Sequence, residues 1–251
     1  MTAFLDTAQG RRIAYVQTPG SAPGVVFLGG FRSDMEGTKA LHLETMARAR
    51  GQAFLRFDYS GHGQSSGAFE EGSIGDWAAD AAAAIIGLTE GPQILVGSSM
   101  GGWIASLFIR DHPERVAGFV GIAAAPDFTE DSIWAGFDAD QRRELAEAGH
   151  VSVPSDYGEP YIITKRLIEE GRHTLVLRDR LTMPFPVRLF QGTADADVEL
   201  DVALGFLDHI EGDDVRLMLV KGADHRFSTP ECLALIDGAV ADVTGSLTVE
   251  S

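Results

Sequence analysis

Gln93-Ile94-Leu95-Val96-Gly97-Ser98-Ser99-Met100-Gly101-Gly102 runs from a short apolar stretch straight into Gly-x-Ser-x-Gly and then into a helical pattern. Strand, sharp turn and helix in that order spell a nucleophile elbow, in which the turn lifts a serine hydroxyl from the end of a strand. Such a turn is too tight for ordinary side chains. Glycine at 97 and 101 omits the Cβ atoms that would collide where strand and helix approach, and it adopts strained dihedrals at little cost. The frame selects Ser99, not Ser98.

A second stretch, Gly63-Gln64-Ser65-Ser66-Gly67, satisfies the same five-residue expression. It sits in a polar loop after Arg56-Phe57-Asp58-Tyr59, with no apolar strand immediately before it and no helix immediately after. The strand-turn-helix context therefore favours Ser99 over Ser65.

Outward from the elbow, apolar β-rich runs alternate with helical ones, the pattern of a largely parallel sheet with helices on both faces. Extended runs are expected at Arg12 to Gln17, Val25 to Leu28, Ala53 to Phe57, Ile94 to Val96, Val116 to Ala123, Val187 to Phe190 and Val215 to Val220. Helices are expected at Gly37 to Arg50, Gly75 to Leu88, Met100 to Asp111, Glu199 to Ile210 and Pro230 to Val243. Between Ala125 and Pro186 the alternation fails. Charged helical segments around Ala139 to Ala148 and Tyr161 to Gly171, punctuated by Pro154, Pro160, Pro184 and Pro186, read as an insertion. We expect a single domain over residues 1–251 with a helical cap at about 126–185, lined by Phe128, Trp134, Phe137, Leu145, Tyr157 and Tyr161. Of these, Trp134, Phe137 and Tyr157 are the candidates for substrate contact, although each aromatic taken singly can equally bind cap to body.

A serine hydroxyl is a poor nucleophile at neutral pH and needs a histidine base oriented by a carboxylate. Gly192-Thr193-Ala194-Asp195-Ala196-Asp197 follows the run Val187 to Phe190, and Gly222-Ala223-Asp224-His225-Arg226 follows Val215 to Val220. Ser99, Asp195 and His225 then stand in the chain order of this fold, each at the carboxyl end of a strand, where functional groups of open α/β sheets gather. Asp197 and Asp224 compete with Asp195, and Asp197 also suits the cap of the helix near Glu199. His62 precedes the serine and is expected to shape the entrance or to be structural; the other histidines fall on helices, at their ends or in the cap. An oxyanion needs preset donors, for which the backbone N–H groups of Met100 and of Phe31, in Leu28-Gly29-Gly30-Phe31-Arg32-Ser33-Asp34, are the candidates.

The chain has 251 residues, 45% of them hydrophobic, and a formal net charge of −17. That charge disfavours nucleic acid and anionic membrane surfaces as partners. No apolar run approaches the roughly 20 residues that span a bilayer, so integral membrane association is not expected. Met1 to Gly10 has neither a basic start nor a long apolar core, unlike a secretory signal. The single cysteine, Cys232, fits a reducing compartment, and a cytoplasmic address is expected. No motif speaks to the oligomeric state.

Taken whole, from about Arg12 to the last helix, the chain resembles the α/β-hydrolase superfamily. Within it the chain is similar to the abhydrolase domain-containing protein ten group and its bacterial relatives. The resemblance is carried by Gly37-Thr38-Lys39-Ala40, Arg56-Phe57-Asp58-Tyr59-Ser60-Gly61, Gly91-Pro92-Gln93-Ile94-Leu95-Val96-Gly97-Ser98-Ser99 and Asp224-His225-Arg226. It implies an eight-stranded, mostly parallel sheet and a Ser99, Asp195, His225 triad. It also implies hydrolysis of a small ester or thioester, or of an acylated protein, with no cofactor or metal. A palmitoyl-protein thioesterase or an esterase of acyl glucuronides is the activity the group suggests. The chain departs from the mitochondrial members in showing no leader before its first strand. Cofactor-free oxygenases, carbon–carbon bond hydrolases and non-catalytic binding proteins share the fold and are the alternatives.

Overall fold

The computed structural model describes residues 1–154, 158 and 160–249. Eight strands form the main sheet: β1 (Ala3–Asp6), β2 (Arg12–Thr18), β3 (Ser21–Leu28), β4 (Gln52–Phe57), β5 (Gln93–Ser98), β6 (Val116–Ile122), β7 (Val187–Gly192) and β8 (Val215–Val220). Their order is β1-β2-β4-β3-β5-β6-β7-β8. From β4 to β8 every pairing is parallel, while β2 runs antiparallel to both β1 and β4. The strand expected from Arg12 is thus preceded by β1, a short strand that sequence pattern does not announce because its exposure alternates at the sheet margin.

Helices α1 (Thr38–Arg50), α2 (Ile74–Leu88), α3 (Met100–Asp111), α4 (Ala139–Ala148), α5 (Lys165–Gly171), α6 (Leu200–His209) and α7 (Pro230–Val249) complete the frame. Side chains alternate across a strand, so each central strand feeds two cores. Val26, Leu28, Leu55 and Leu95 face Trp77 of α2, Trp103 of α3 and Phe206 of α6. Val25, Phe27, Phe54, Ile94 and Val96 face Ala40, Leu43 and Ala47 of α1 and Ile236, Val240 and Val243 of α7. Strands apolar on both faces are what a parallel sheet covered on both sides requires. Trp77 and Trp103 are fully buried, and each indole N–H is satisfied, by the Ser60 and Thr174 carbonyls at 3.0 and 2.9 Å. Truncating either to alanine would cost about 3–5 kcal/mol.

Between β6 and β7 lie a π-helical turn (Thr129–Trp134), α4, a strand pair and α5. Asp138 closes a capping box with Gln141 at the start of α4. The helix expected to begin at Tyr161 begins instead at Lys165. Tyr161–Thr164 is a strand paired antiparallel with His150–Val153, so this insertion is mixed rather than wholly helical. β-branched and aromatic residues in Tyr161-Ile162-Ile163-Thr164 suit a pleated strand, and Thr164 then caps α5 through the Leu167 N–H. Asp127 anchors the segment. Its buried carboxylate accepts N–H bonds from Val176 and Leu177 at 2.8 and 2.9 Å and faces Arg178.

Candidate active site

The elbow is as sharp as its sequence demands. Ser99 has φ 55° and ψ −120°, a conformation that L-residues rarely adopt and that neighbouring packing must impose. A Cβ at Gly97 would stand 2.5 Å from the Gly101 carbonyl oxygen, and one at Gly101 only 2.1 Å from the Leu28 carbonyl oxygen. Both positions therefore exclude any larger residue, and the close approach of α3 to β3 and β5 follows from them.

Sheet order converts three separate loops into one site. Ser99 follows β5, Asp195 follows β7 and His225 follows β8, all at carboxyl ends. The Ser99 hydroxyl lies 3.1 Å from His225 Nε2, and His225 Nδ1 donates to Asp195 Oδ2 at 2.9 Å. The imidazole is 16% exposed and the Asp195 side chain is sealed from solvent. Burial alone would raise the Asp195 pKa. The His225 hydrogen bond, with N–H groups of Val198 and Asp197 on Oδ1 at 2.9 Å each, outweighs it and holds the carboxyl below its usual range. Asp195 thus stays ionised and fixes the His225 tautomer with Nε2 free to accept. An imidazole so placed can take the hydroxyl proton as Oγ attacks a carbonyl.

The competitors do not take the place of Asp195 or Ser99 in this relay. Asp197 gives its N–H to Asp195, and the N-cap of α6 is Glu199, without a side-chain cap. Asp224 accepts the Phe227 N–H at 3.1 Å and shapes the His225 turn. Ser65 donates its hydroxyl to the Asp58 carbonyl and accepts the Ala14 N–H, both within 2.8 Å, so it is spent on loop structure.

Gly30 rests against the elbow, where an added Cβ would stand 3.4 Å from Ser99 Cβ. The Phe31 and Met100 N–H groups take no hydrogen-bond partner among the described residues. Met100 opens α3, where first-turn amides are unsatisfied and the helix dipole favours negative charge. The Phe31 ring meets Phe69, Trp77, Phe128 and Tyr161 edge to face, with centroids 4.8–5.9 Å apart. Arg32 lies over the Phe69 and Tyr161 rings and donates to the Pro160 carbonyl. Of the aromatics expected to touch substrate, Trp134 is flanked by Arg142 and Arg172 at 4.9 and 4.8 Å, and Phe137 is buried beside it. Tyr157 lies outside the described residues.

Gln191, which sequence reading did not place in the site, and His62, expected to shape the entrance or to be structural, both support it. Gln191, fully buried near the end of β7, donates through Nε2 to Asp195 Oδ2 at 2.9 Å. A glutamine directly after the run Val187-Arg188-Leu189-Phe190 was its only signal. His62 donates Nδ1–H to the Ser60 carbonyl and accepts the Arg32 N–H on Nε2 at 3.3 Å, bracing the loop that carries Phe31. Burial, the larger effect, and the Arg32 charge push its pKa down against Ser60 and Asp80, so the ring stays neutral and keeps its acceptor.

Asp195, Asp197 and His225 also bring ligand atoms within 4.8 Å of one another, close enough to bridge a cation. Both Asp195 oxygens and both His225 nitrogens already make the hydrogen bonds above, so a cation bound there would compete with the Ser99–His225–Asp195 contacts or with the N–H groups on Asp195 Oδ1. No described helix is long and apolar enough to cross a membrane.

Sheet order, elbow and comparison with known proteins agree: the chain belongs to the α/β hydrolases. Residues 24–151 match the Hydrolase_4 family, described as serine aminopeptidase, S33. Over 247 residues the chain is 34% identical to palmitoyl-protein thioesterase ABHD10, mitochondrial, of Bos taurus, covering 98% of this chain and 80% of that protein. Mouse alpha/beta hydrolase domain-containing protein 10 superposes with a TM-score of 0.92 at 33% identity, covering 98% of this chain and 99% of that one. A crystal structure from Agrobacterium vitis S4 superposes at 0.93 with 40% identity, covering 97% and 98%.

Proposed function

We propose that the chain is a serine hydrolase that cleaves carboxylic esters or thioesters through an acyl-enzyme on Ser99. The observation that carries this reading is the unbroken relay from the Ser99 hydroxyl to His225 Nε2 and from His225 Nδ1 to Asp195, at 3.1 and 2.9 Å. Similarity to a palmitoyl-protein thioesterase supports the ester or thioester class.

His225 takes the Ser99 proton as Oγ bonds to the carbonyl carbon. The tetrahedral oxyanion is held by the Met100 and Phe31 N–H groups. Its collapse expels the alcohol or thiol, which leaves with the proton from His225. Water then gives a proton to His225 and attacks the acyl carbon, and the second tetrahedral intermediate breaks its bond to Oγ, releasing the carboxylic acid as His225 returns the proton to Ser99. Asp195 orients the imidazole and balances its transient charge. In the same reading residues 1–251 form one domain, and residues 126–185 form a cap that sets which acyl group enters. The substrate is a small ester or thioester or an acylated protein, no cofactor or metal takes part, and the address is cytoplasmic.

The test is a fluorophosphonate probe followed by mapping of the adduct, with hydrolysis of nitrophenyl esters, acyl thioesters and vinylogous diketones assayed in parallel. Ser99→Ala should abolish labelling and lower kcat on the order of 10⁶-fold. An adduct on another residue, or diketone cleavage without ester turnover, would overturn the reading.

A further inference from the structure

We propose that the open edge of β8 is the docking surface for a second copy of this chain, joined antiparallel about a two-fold axis at Leu217. β8 pairs on one side only, with β7, and among the described residues no strand meets its other edge. The Asp214 and Val220 carbonyls accept from the Val187 and Thr193 N–H groups at 2.9 and 3.0 Å. In a parallel pair the N–H and C=O of alternate residues turn to the same side. Residues 214, 216, 218 and 220 therefore face β7, while Val215, Leu217 and Leu219 present their backbone groups outward.

Exposed edges are normally blunted by shortness, proline, a bulge or charged side chains. β8 has no proline and no bulge, and its one charged residue, Arg216, is held by Asp214 and Asp242 at 3.0 and 3.8 Å. The strand is the six-residue run Val-Arg-Leu-Met-Leu-Val in unbroken register with β7, in contrast to the four-residue β1 at the opposite margin. Met218 and Leu219 are 46% and 45% exposed, and α6, which packs over β8, adds exposed Leu200 and Leu204. Half of the exposed large hydrophobic residues among those described thus lie on these two neighbouring elements, on a molecule whose net charge of −17 otherwise keeps copies apart.

Register and charge select the occupant. Outward-facing residues must meet outward-facing residues, so a two-fold axis falls on a single residue. Centred on Leu217, it sets Leu217 against Leu217, Val215 against Leu219, and Asp213 against Lys221 at both ends. Asp213 and Lys221 are both exposed and of opposite charge. Moving the centre to Arg216 sets Asp213 against Leu219, and moving it to Met218 sets Lys221 against Val215. Of these three, only the central register sets acid against base at both ends; Arg216 then lies opposite Met218, its charge met by Asp214 and Asp242 of its own chain. Such an interface is self-complementary, as a closed dimer requires. It would also tether β8, from which the His225 loop departs.

Sedimentation velocity of the full chain at about 100 µM reads the result directly. A species of twice the 26.9 kDa chain mass is expected. Asp213→Lys and Lys221→Asp, both on the exposed surface and remote from the core, should each weaken dimerisation at least about tenfold by opposing like charges twice per dimer. An equimolar mixture of the two variants should restore the dimer, because each new charge then meets its opposite. A monomeric wild-type chain overturns the proposal, and so does a dimer unaffected by either reversal, which would place the contact on another face.

Discussion

Gln191 Nε2 donates to Asp195 Oδ2 at 2.9 Å, and the same oxygen accepts the His225 Nδ1–H. With Oδ1 taken by two backbone N–H groups, the carboxylate has no freedom to rotate away from the imidazole. Gln191→Leu keeps the volume and removes this restraint. We expect kcat for ester turnover to fall between about 10- and 100-fold, as a small misplacement of a reacting group does, with KM nearly unchanged. The acid limb of the pH–rate profile should move at the same time, because Asp195 loses a competing donor. A purely structural role for Gln191 would lower stability and leave that profile in place.

His62 braces the loop bearing Phe31 by accepting the Arg32 N–H. Its ring also packs edge to face with Tyr59, Phe69 and Trp77. His62→Phe retains the packing and deletes the acceptor. Losing precise placement of one oxyanion donor should reduce kcat by about 10²-fold at most, with a smaller change in KM. His62→Gln, whose side-chain carbonyl can accept, should recover part of the loss in the same assay.

Gly101→Ala would drive a methyl into the Leu28 carbonyl, 2.1 Å away, where backbone and not a flexible side chain must yield. The variant should lose about 3 kcal/mol or more of unfolding free energy, seen as a lower urea midpoint at unchanged slope. Gly136→Ala, with open space around its Cβ position, serves as the control and should shift the midpoint little.

Glu44 gives the chain an acid-sensitive joint. Burial would raise its pKa, but hydrogen bonds from Arg48, Arg56 and Thr18 outweigh that and hold it at about 2, against 4.5 for a free glutamate. A depressed carboxyl stabilises the fold fully above its unfolded value and loses that contribution as pH falls through the folded one. Glu44→Gln should therefore cost about 2 kcal/mol at pH 6, and the gap from wild type should close between about pH 4.5 and pH 2. Urea titrations across that range test it. A constant gap would mean that packing, not ionisation, carries the difference.

The sheet was legible where local rules act: two-faced apolar runs mark β3, β4 and β5, and glycine spacing at 97 and 101 marks the turn that strains Ser99. Such signals depend on a residue's own neighbours in the chain. Tyr161–Thr164 read as helix because strand pairing is settled by the partner segment, here His150–Val153, rather than by local propensity. Ser99, Asp195 and His225 could be named one by one as residues following strands. Their 3.1 and 2.9 Å contacts belong to the order in which β5, β7 and β8 assemble. Tertiary structure alone decided that Gln191 stands beside the site, which hydrogen bonds His62 makes there, and that Phe128 and Tyr161, rather than Trp134 or Phe137, meet Phe31. Hydrogen bonds and ring contacts depend on positions tens of residues apart meeting within a few ångströms, and only the folded packing brings them there.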